Sequence, residues 1–174
     1  MDKTYIIAIG PESSGKSTLI QYLSDKFDIP VVNEYAREYL NKLDRDYVHT
    51  DLKEIALYQD GLSNRVDRKI VLCDTDLITL LVWQAFAFPN AEDMLSPLMV
   101  NYDFSRRHYF LCYPDLDWVE DPLREHPNLE DRMKIFQANI DLLTNLGAEF
   151  TILKGKEESR YTLASELVDQ LLSS

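Results

Sequence analysis

Apolar residues gather in short runs along this chain, separated by longer amphipathic stretches. TYIIAIG (residues 4–10) reads as a buried strand, and GKSTLIQYLSDKF (15–27) as a helix that begins inside the loop between them. IPVVNE (29–34) predicts a second strand running into a helical EYAREYLNKL (34–43). TDLKEIALYQDGLSNRVDRK (50–69) has helical spacing with charges on one side, Thr50 as N-cap and Gly61 as a weak point inside it. IVLCD (70–74) predicts a third strand, ITLLVWQAFAF (78–88) a buried helix, and RHYFLCY (107–113) a fourth strand. PDLDWVEDPLREHPNLEDR (114–132) is polar and broken by prolines. A helix follows in RMKIFQANIDLLTNLG (132–147), with Gly147 as its stop, then a fifth strand, AEFTILKG (148–155), and a closing helix, RYTLASELVDQLLSS (160–174).

Short apolar strands alternating with helices imply an α/β domain, a parallel sheet covered on both faces. With 174 residues and no repeat or linker, the chain is expected to form a single domain, 1–174. Ligands of such sheets bind beyond the carboxyl ends of the strands, so chemistry should follow strand ends. It does so in this sequence: GPESSGKS follows the first strand, Glu34 the second, DTD the third and the polar segment the fourth.

Composition narrows the partners. Thirty acids against 18 bases leave a net charge of -12, which argues against a nucleic-acid partner, since such binding depends on cationic contacts to phosphates. Cys73 and Cys112 each lie in an apolar run without metal or redox spacing, so both are expected as buried thiols. The three histidines are isolated and suggest no metal cage. LITLLVWQAFAF is too short and interrupted to span a bilayer, and a core strand is predicted almost at Met1 in place of a leader, so a cytoplasmic protein without membrane contact is expected.

Only five glycines occur, and two of them share one loop. Gly10, Gly15, Lys16 and Ser17 complete the pattern G-x-x-x-x-G-K-[ST], with the required strand before and helix after. Its glycines let backbone N–H groups turn inward around a β-phosphate, and the helix start adds partial positive charge. Lys16 can reach the β- and γ-phosphates, and the Ser17 hydroxyl can ligate Mg²⁺. Gly10, Pro11, Glu12, Ser13, Ser14, Gly15, Lys16, Ser17 and Thr18 thus form the expected ATP-binding set.

The acids at the strand ends suggest transfer. Glu34 either takes a proton from an acceptor hydroxyl or is simply an acid favoured at a helix start. Arg37, three residues on, either holds a phosphate or substrate oxygen or pairs with that acid. Asp74 fits a metal role through Mg²⁺-bound water, and Asp76 a role in holding substrate hydroxyls; the alternative for either is to cap the next helix. Residues 115–132 form a candidate lid, in which Arg124 and Arg132 could swing onto a transferring phosphoryl group and closure would exclude water. Trp118 in that lid could stack on a flat ring, whereas Trp83, in an apolar helix, is expected in the core. Adenine contacts are expected from backbone near LKGKEESR (153–160).

GPESSGKSTL, NEYAREY, IVLCDTDLIT and DWVEDPLR, in this order, resemble the ribosylnicotinamide kinase domain of the NadR-type bacterial NAD-salvage and regulatory proteins. The resemblance covers essentially the whole chain. It implies a P-loop kinase fold of strand order 2-3-1-4-5 and ATP-dependent, Mg²⁺-assisted phosphorylation of a riboside 5′-hydroxyl, with nicotinamide riboside as acceptor. It also implies catalytic roles for Lys16, Glu34, Asp74, Arg124 and Arg132. Ser17 and Asp74 would serve the metal, and Glu34, Tyr35, Arg37, Asp76 and Trp118 the substrate. The nucleotidyltransferase and helix-turn-helix of the multifunctional relatives have no counterpart here, so neither adenylylation nor repression is expected of it. A kinase for another nucleoside or nucleotide, and a P-loop ATPase switch, are the alternative functions; oligomeric state is left open.

Overall fold

A computed structural model describes residues 3–173; residues 1, 2 and 174 lie outside it. Five strands, β1 (Thr4–Ile9), β2 (Val31–Val32), β3 (Ile70–Asp74), β4 (Arg107–Cys112) and β5 (Phe150–Leu153), form one sheet in the order β2-β3-β1-β4-β5. Every pairing is parallel. This is the P-loop kinase order the resemblance implies.

Alternation along the strands builds two cores. Ile7, Ile9, Val71, Cys73, Tyr109 and Leu111 face one side, under α3 (His49–Arg65), α4 (Leu77–Ala87) and α5 (Leu129–Asn145). Ile6, Ala8, Leu72, Phe110 and Cys112 face the other, under α1 (Lys16–Phe27) and α6 (Glu157–Leu172). A strand buried on both faces reads as a continuous apolar run, which is why the strands were legible without polar alternation. Both cysteines are buried, and burial pushes their thiols up, to about 12 for Cys73 and about 11 for Cys112, as expected of inert core thiols.

Several boundaries move. α3 starts at His49, not after a Thr50 cap: Asp51, in its first turn, accepts from the Val48 N–H at 2.7 Å and so satisfies the helix start from inside. Gly61 leaves α3 unbroken. α2 (Tyr35–Leu40) is shorter than its pattern, α5 starts at Leu129 and α6 at Glu157, each earlier than expected because Glu130–Asp131 and Glu157–Glu158 suit a helix's positive end. Among the described residues no helix is long and apolar enough to cross a membrane.

Candidate active site

The β1–α1 loop sits at the carboxyl edge of the sheet, and its glycines are there for different reasons. Gly10 has φ +131°, and a Cβ on it would come within 2.6 Å of the Cys112 carbonyl oxygen, so the loop leaves β1 pressed against β4 with no room for a side chain. Gly15, at φ +81°, caps α1, whose first turn carries no acid and no side-chain cap. Its leading N–H groups are therefore free for an anion. Ser14 Oγ donates to the Pro11 carbonyl at 2.7 Å, and Lys16 Nζ folds back to the Gly10 and Pro11 carbonyls at 3.0 and 2.7 Å.

Beside the loop opens a cavity of about 230 Å³ lined by loop residues 10–18, Glu34 and Arg37. Glu34 occupies the N-cap position of α2 without a side-chain cap bond and lines the cavity, so a helix-start place and a cavity-facing acid coincide in it. Burial pushes its carboxyl up, the Lys16 ammonium pulls it down and Asp74 pushes it up again. Gln59 of α3 sets its place: Oε1 accepts from the Tyr35 N–H at 2.7 Å, and Nε2 donates to the Asn33 carbonyl at 3.2 Å. The peptide groups on both sides of Glu34 are thereby fixed by one buried side chain.

The two acids of DTD part company. Thr75 between them takes a left-handed φ of 72° and sends them to different places. Asp74 stays buried at the end of β3, with Oδ1 unpartnered among the described residues, and it does not line the cavity. That orphaned oxygen and the Ser17 hydroxyl suit Mg²⁺, which takes few protein oxygens and fills its shell with water and phosphate. Asp76 instead caps α4, accepting from the Ile78 N–H at 2.9 Å and from the Tyr109 hydroxyl at 2.8 Å. Arg107, stacked between the Tyr5 and Tyr102 rings, lies 3.9 Å from it. Burial pushes the Asp76 carboxyl up while Arg107 pulls it down. Enclosed in this way, Asp76 does not line the cavity, and the expected substrate role gives way to the capping one.

Tyr35 also lies outside the cavity, stacked on Tyr58 with ring centroids 4.0 Å apart. Trp83 packs against the core as expected and also reaches the cavity, beside Val82 and Phe86; Trp118 does not line it. Trp118 lies near two arginines, its ring 5.9 Å from the Arg124 guanidinium carbon and 5.7 Å from that of Arg132. An amphipathic signal could not expose Trp83, because α4 is apolar all round.

The lid runs irregularly from Tyr113 to Asn128 and lies on the loop. Arg132 therefore belongs to the first turns of α5, not to the lid; it is buried, donates to the Leu116 carbonyl at 3.3 Å and does not line the cavity. Arg124 does line it, and donates to Ser13 Oγ at 3.0 Å. Ser13 Oγ also accepts from the Val119 N–H at 3.2 Å, and the Glu12 carboxylate accepts from the N–H groups of Glu125 and His126, at 3.0 and 2.8 Å. Arg37, which lines the cavity, pairs with Asp121 at 2.8 Å, and not with Glu34. Burial pushes the Tyr47 hydroxyl up to about 12, so it stays protonated; it donates to Glu125 at 3.0 Å and accepts from Trp83 Nε1 at 3.1 Å.

Arg160 of α6 is the largest omission from the sequence reading. It is 2% exposed and donates to the carbonyls of Ser14, Tyr113 and Gly155 and to the Asp115 carboxylate. It ties the phosphate loop to the β5–α6 turn. In sequence it is one basic residue on an amphipathic helix, with nothing local to mark it.

The AAA domain family matches residues 5–160. The chain is similar to the trifunctional NAD biosynthesis/regulator protein NadR of Escherichia coli (strain K12), 26% identical over 181 residues, covering 96% of this chain and 42% of that protein. It spans less than half the length of the curated relatives it matches. Among solved structures it superposes on the NadR protein in complex with NR, with TM-score 0.78 and 23% identity over 97% of this chain and 51% of that one. The NadR protein in complex with NAD and AMP-PNP gives TM-score 0.72 and 22% identity over 97% and 49%. The phosphate loop, the parallel sheet that presents it and the match along nearly the whole chain make this protein a member of the AAA domain family.

Proposed function

We propose that this domain is an ATP-dependent kinase that phosphorylates the 5′-hydroxyl of a riboside, with nicotinamide riboside as its acceptor. One observation carries the reading: a single cavity joins the phosphate loop to a carboxylate, Glu34, and to an aromatic wall around Trp83. A phosphate-binding switch needs the loop; it has no use for a cavity that joins the loop to a carboxylate and an apolar wall. The complexes of NadR with NR and with AMP-PNP support the choice of acceptor and donor.

In this reading the loop N–H groups and Lys16 hold the β- and γ-phosphates of ATP. Ser17 Oγ, and Asp74 through water, would hold Mg²⁺, which supplies charge neutralisation across the phosphates. Glu34 takes the proton of the acceptor hydroxyl as its oxygen bonds to the γ-phosphorus. The bond from that phosphorus to the bridging oxygen breaks, and the electron pair leaves with ADP. Arg124, released from Ser13, answers the charge on the equatorial oxygens. The lid excludes water, so the riboside and not water is phosphorylated.

An ADP-release screen tests this, with nicotinamide riboside beside uridine, cytidine, adenosine and thymidine. ADP release that depends on nicotinamide riboside is the expected result. Rapid ATP hydrolysis indifferent to every nucleoside would remove the kinase reading.

A further inference from the structure

Two residues that line the cavity each carry a buried polar atom without a partner among the described residues. Asn139 on α5 is 2% exposed; its Nδ2 donates to the Ile135 carbonyl at 2.8 Å, and its Oδ1 is buried with no partner among the described residues. That bond fixes which way the amide faces, because a carbonyl oxygen accepts only from nitrogen. Thr79 on α4 is in the same position, its Oγ1 buried and unpartnered. Both residues line the cavity, and Val82, Trp83, Phe86 and Ile135 make its neighbouring wall apolar. Buried polar groups are nearly always hydrogen-bonded, so two orphans at one chamber need a partner from outside the protein.

The two atoms ask for different things. Asn139 Oδ1 can only accept, whereas the Thr79 hydroxyl can donate or accept. We infer that Asn139 and Thr79 determine acceptor specificity, Asn139 Oδ1 taking an N–H from a planar base and Thr79 donating to a carbonyl oxygen beside it. A primary carboxamide offers both groups. A carboxylate in the same place offers only acceptors, and sets an oxygen and a negative charge against Asn139 Oδ1. If the riboside-kinase reading holds, the site therefore selects the amide form of the acceptor over its acid form.

Nicotinamide riboside and nicotinic acid riboside differ in this group alone and serve as the two probes. kcat/KM is measured for each with the unaltered protein, Asn139→Ala, Asn139→Asp and Thr79→Val, with a thermal melt of each and calorimetric binding of both ribosides. The unaltered protein is expected to favour the amide by about tenfold or more. Asn139→Ala should lower kcat/KM for the amide about tenfold and, with the opposing oxygen gone, raise it for the acid, bringing the ratio towards one. Asn139→Asp keeps an acceptor oxygen and should keep the preference. Thr79→Val should weaken both ribosides alike, since each still presents a carbonyl-type oxygen, and leave the ratio where it was. A purely structural role for Asn139 would lower both substrates together along with the melting temperature.

Equal use of the two ribosides by the unaltered protein, or an unchanged ratio in Asn139→Ala, overturns the specificity assignment and leaves the kinase reading standing. ADP release with other ribosides but with neither of these overturns it too, together with the choice of acceptor alone. Absence of ADP release with every riboside removes both.

Discussion

The phosphate loop and the lid lie against one another but are held by opposite means. The loop is fixed mainly by its own neighbours: Ser14 bonds Pro11 three residues back, and Lys16 bonds Gly10 six residues back. The lid has no regular structure, and its anchors come from far away in sequence, Arg37 to Asp121 across 84 residues and Arg124 to Ser13 across 111. A local device writes itself into residue spacing. One assembled from distant contacts leaves only a polar stretch with prolines. Arg160 breaks the symmetry of this contrast, because it reaches the loop from 146 residues away.

Arg160→Leu tests how far the loop holds itself. Removing this guanidinium leaves the Ser14 and Gly155 carbonyls without their donor, while Asp115 still accepts from the Gly155 N–H and the Tyr113 carbonyl from the Asp115 N–H. The change should lower stability by about 1–3 kcal/mol in denaturant unfolding. A loss below about 1 kcal/mol would mean that the loop needs no distant brace.

Lys16→Ala should leave melting nearly unchanged and lower kcat by about 10²–10³-fold, the scale of losing one charge-stabilising donor. Near-normal transfer by the folded variant would end the assignment of the loop as the phosphate site.

Glu34→Gln is expected to lower kcat by about 10²-fold with ATP affinity kept, the low end of general-base effects. The pH profile sharpens this. Burial raises the Glu34 carboxyl above its ordinary 4.5, so activity should rise with pH through that raised value, and the limb should vanish in the variant. Its proton is bound more tightly in the folded state, so its contribution to stability declines as pH climbs from 4.5 through the raised value. A normal rate in Glu34→Gln would move the base to another carboxylate.

Glu12→Ala removes the acceptor for two lid N–H groups and should give the smallest effect, about a tenfold rise in acceptor KM with faster acceptor-independent ADP release. Unchanged values for both would show that the lid closes without the loop.

Legibility in the sequence followed range. The five strands, their parallel pairing and every backbone feature of the phosphate loop could be read from local pattern. Asp74 and Asp76 could not be told apart, since their difference depends on the left-handed turn at Thr75 and on Arg107 and Tyr109 arriving from another strand. Trp83 and Trp118 were legible as aromatic residues but not as a cavity wall and a neighbour of two arginines. Gln59, which fixes the peptides on both sides of Glu34, is one polar residue among many on α3.

By itself the sequence determined that this chain sets a phosphate-loop pattern at the edge of a parallel sheet, because strand periodicity and loop geometry depend on residues a few positions apart. Tertiary structure alone decided which acid caps α4 and which keeps an unpartnered oxygen, which tryptophan lines the cavity, and that residues 119–126 rest on Glu12 and Ser13. Those choices depend on burial and on partners brought together by folding, and spacing along the chain carries no record of them.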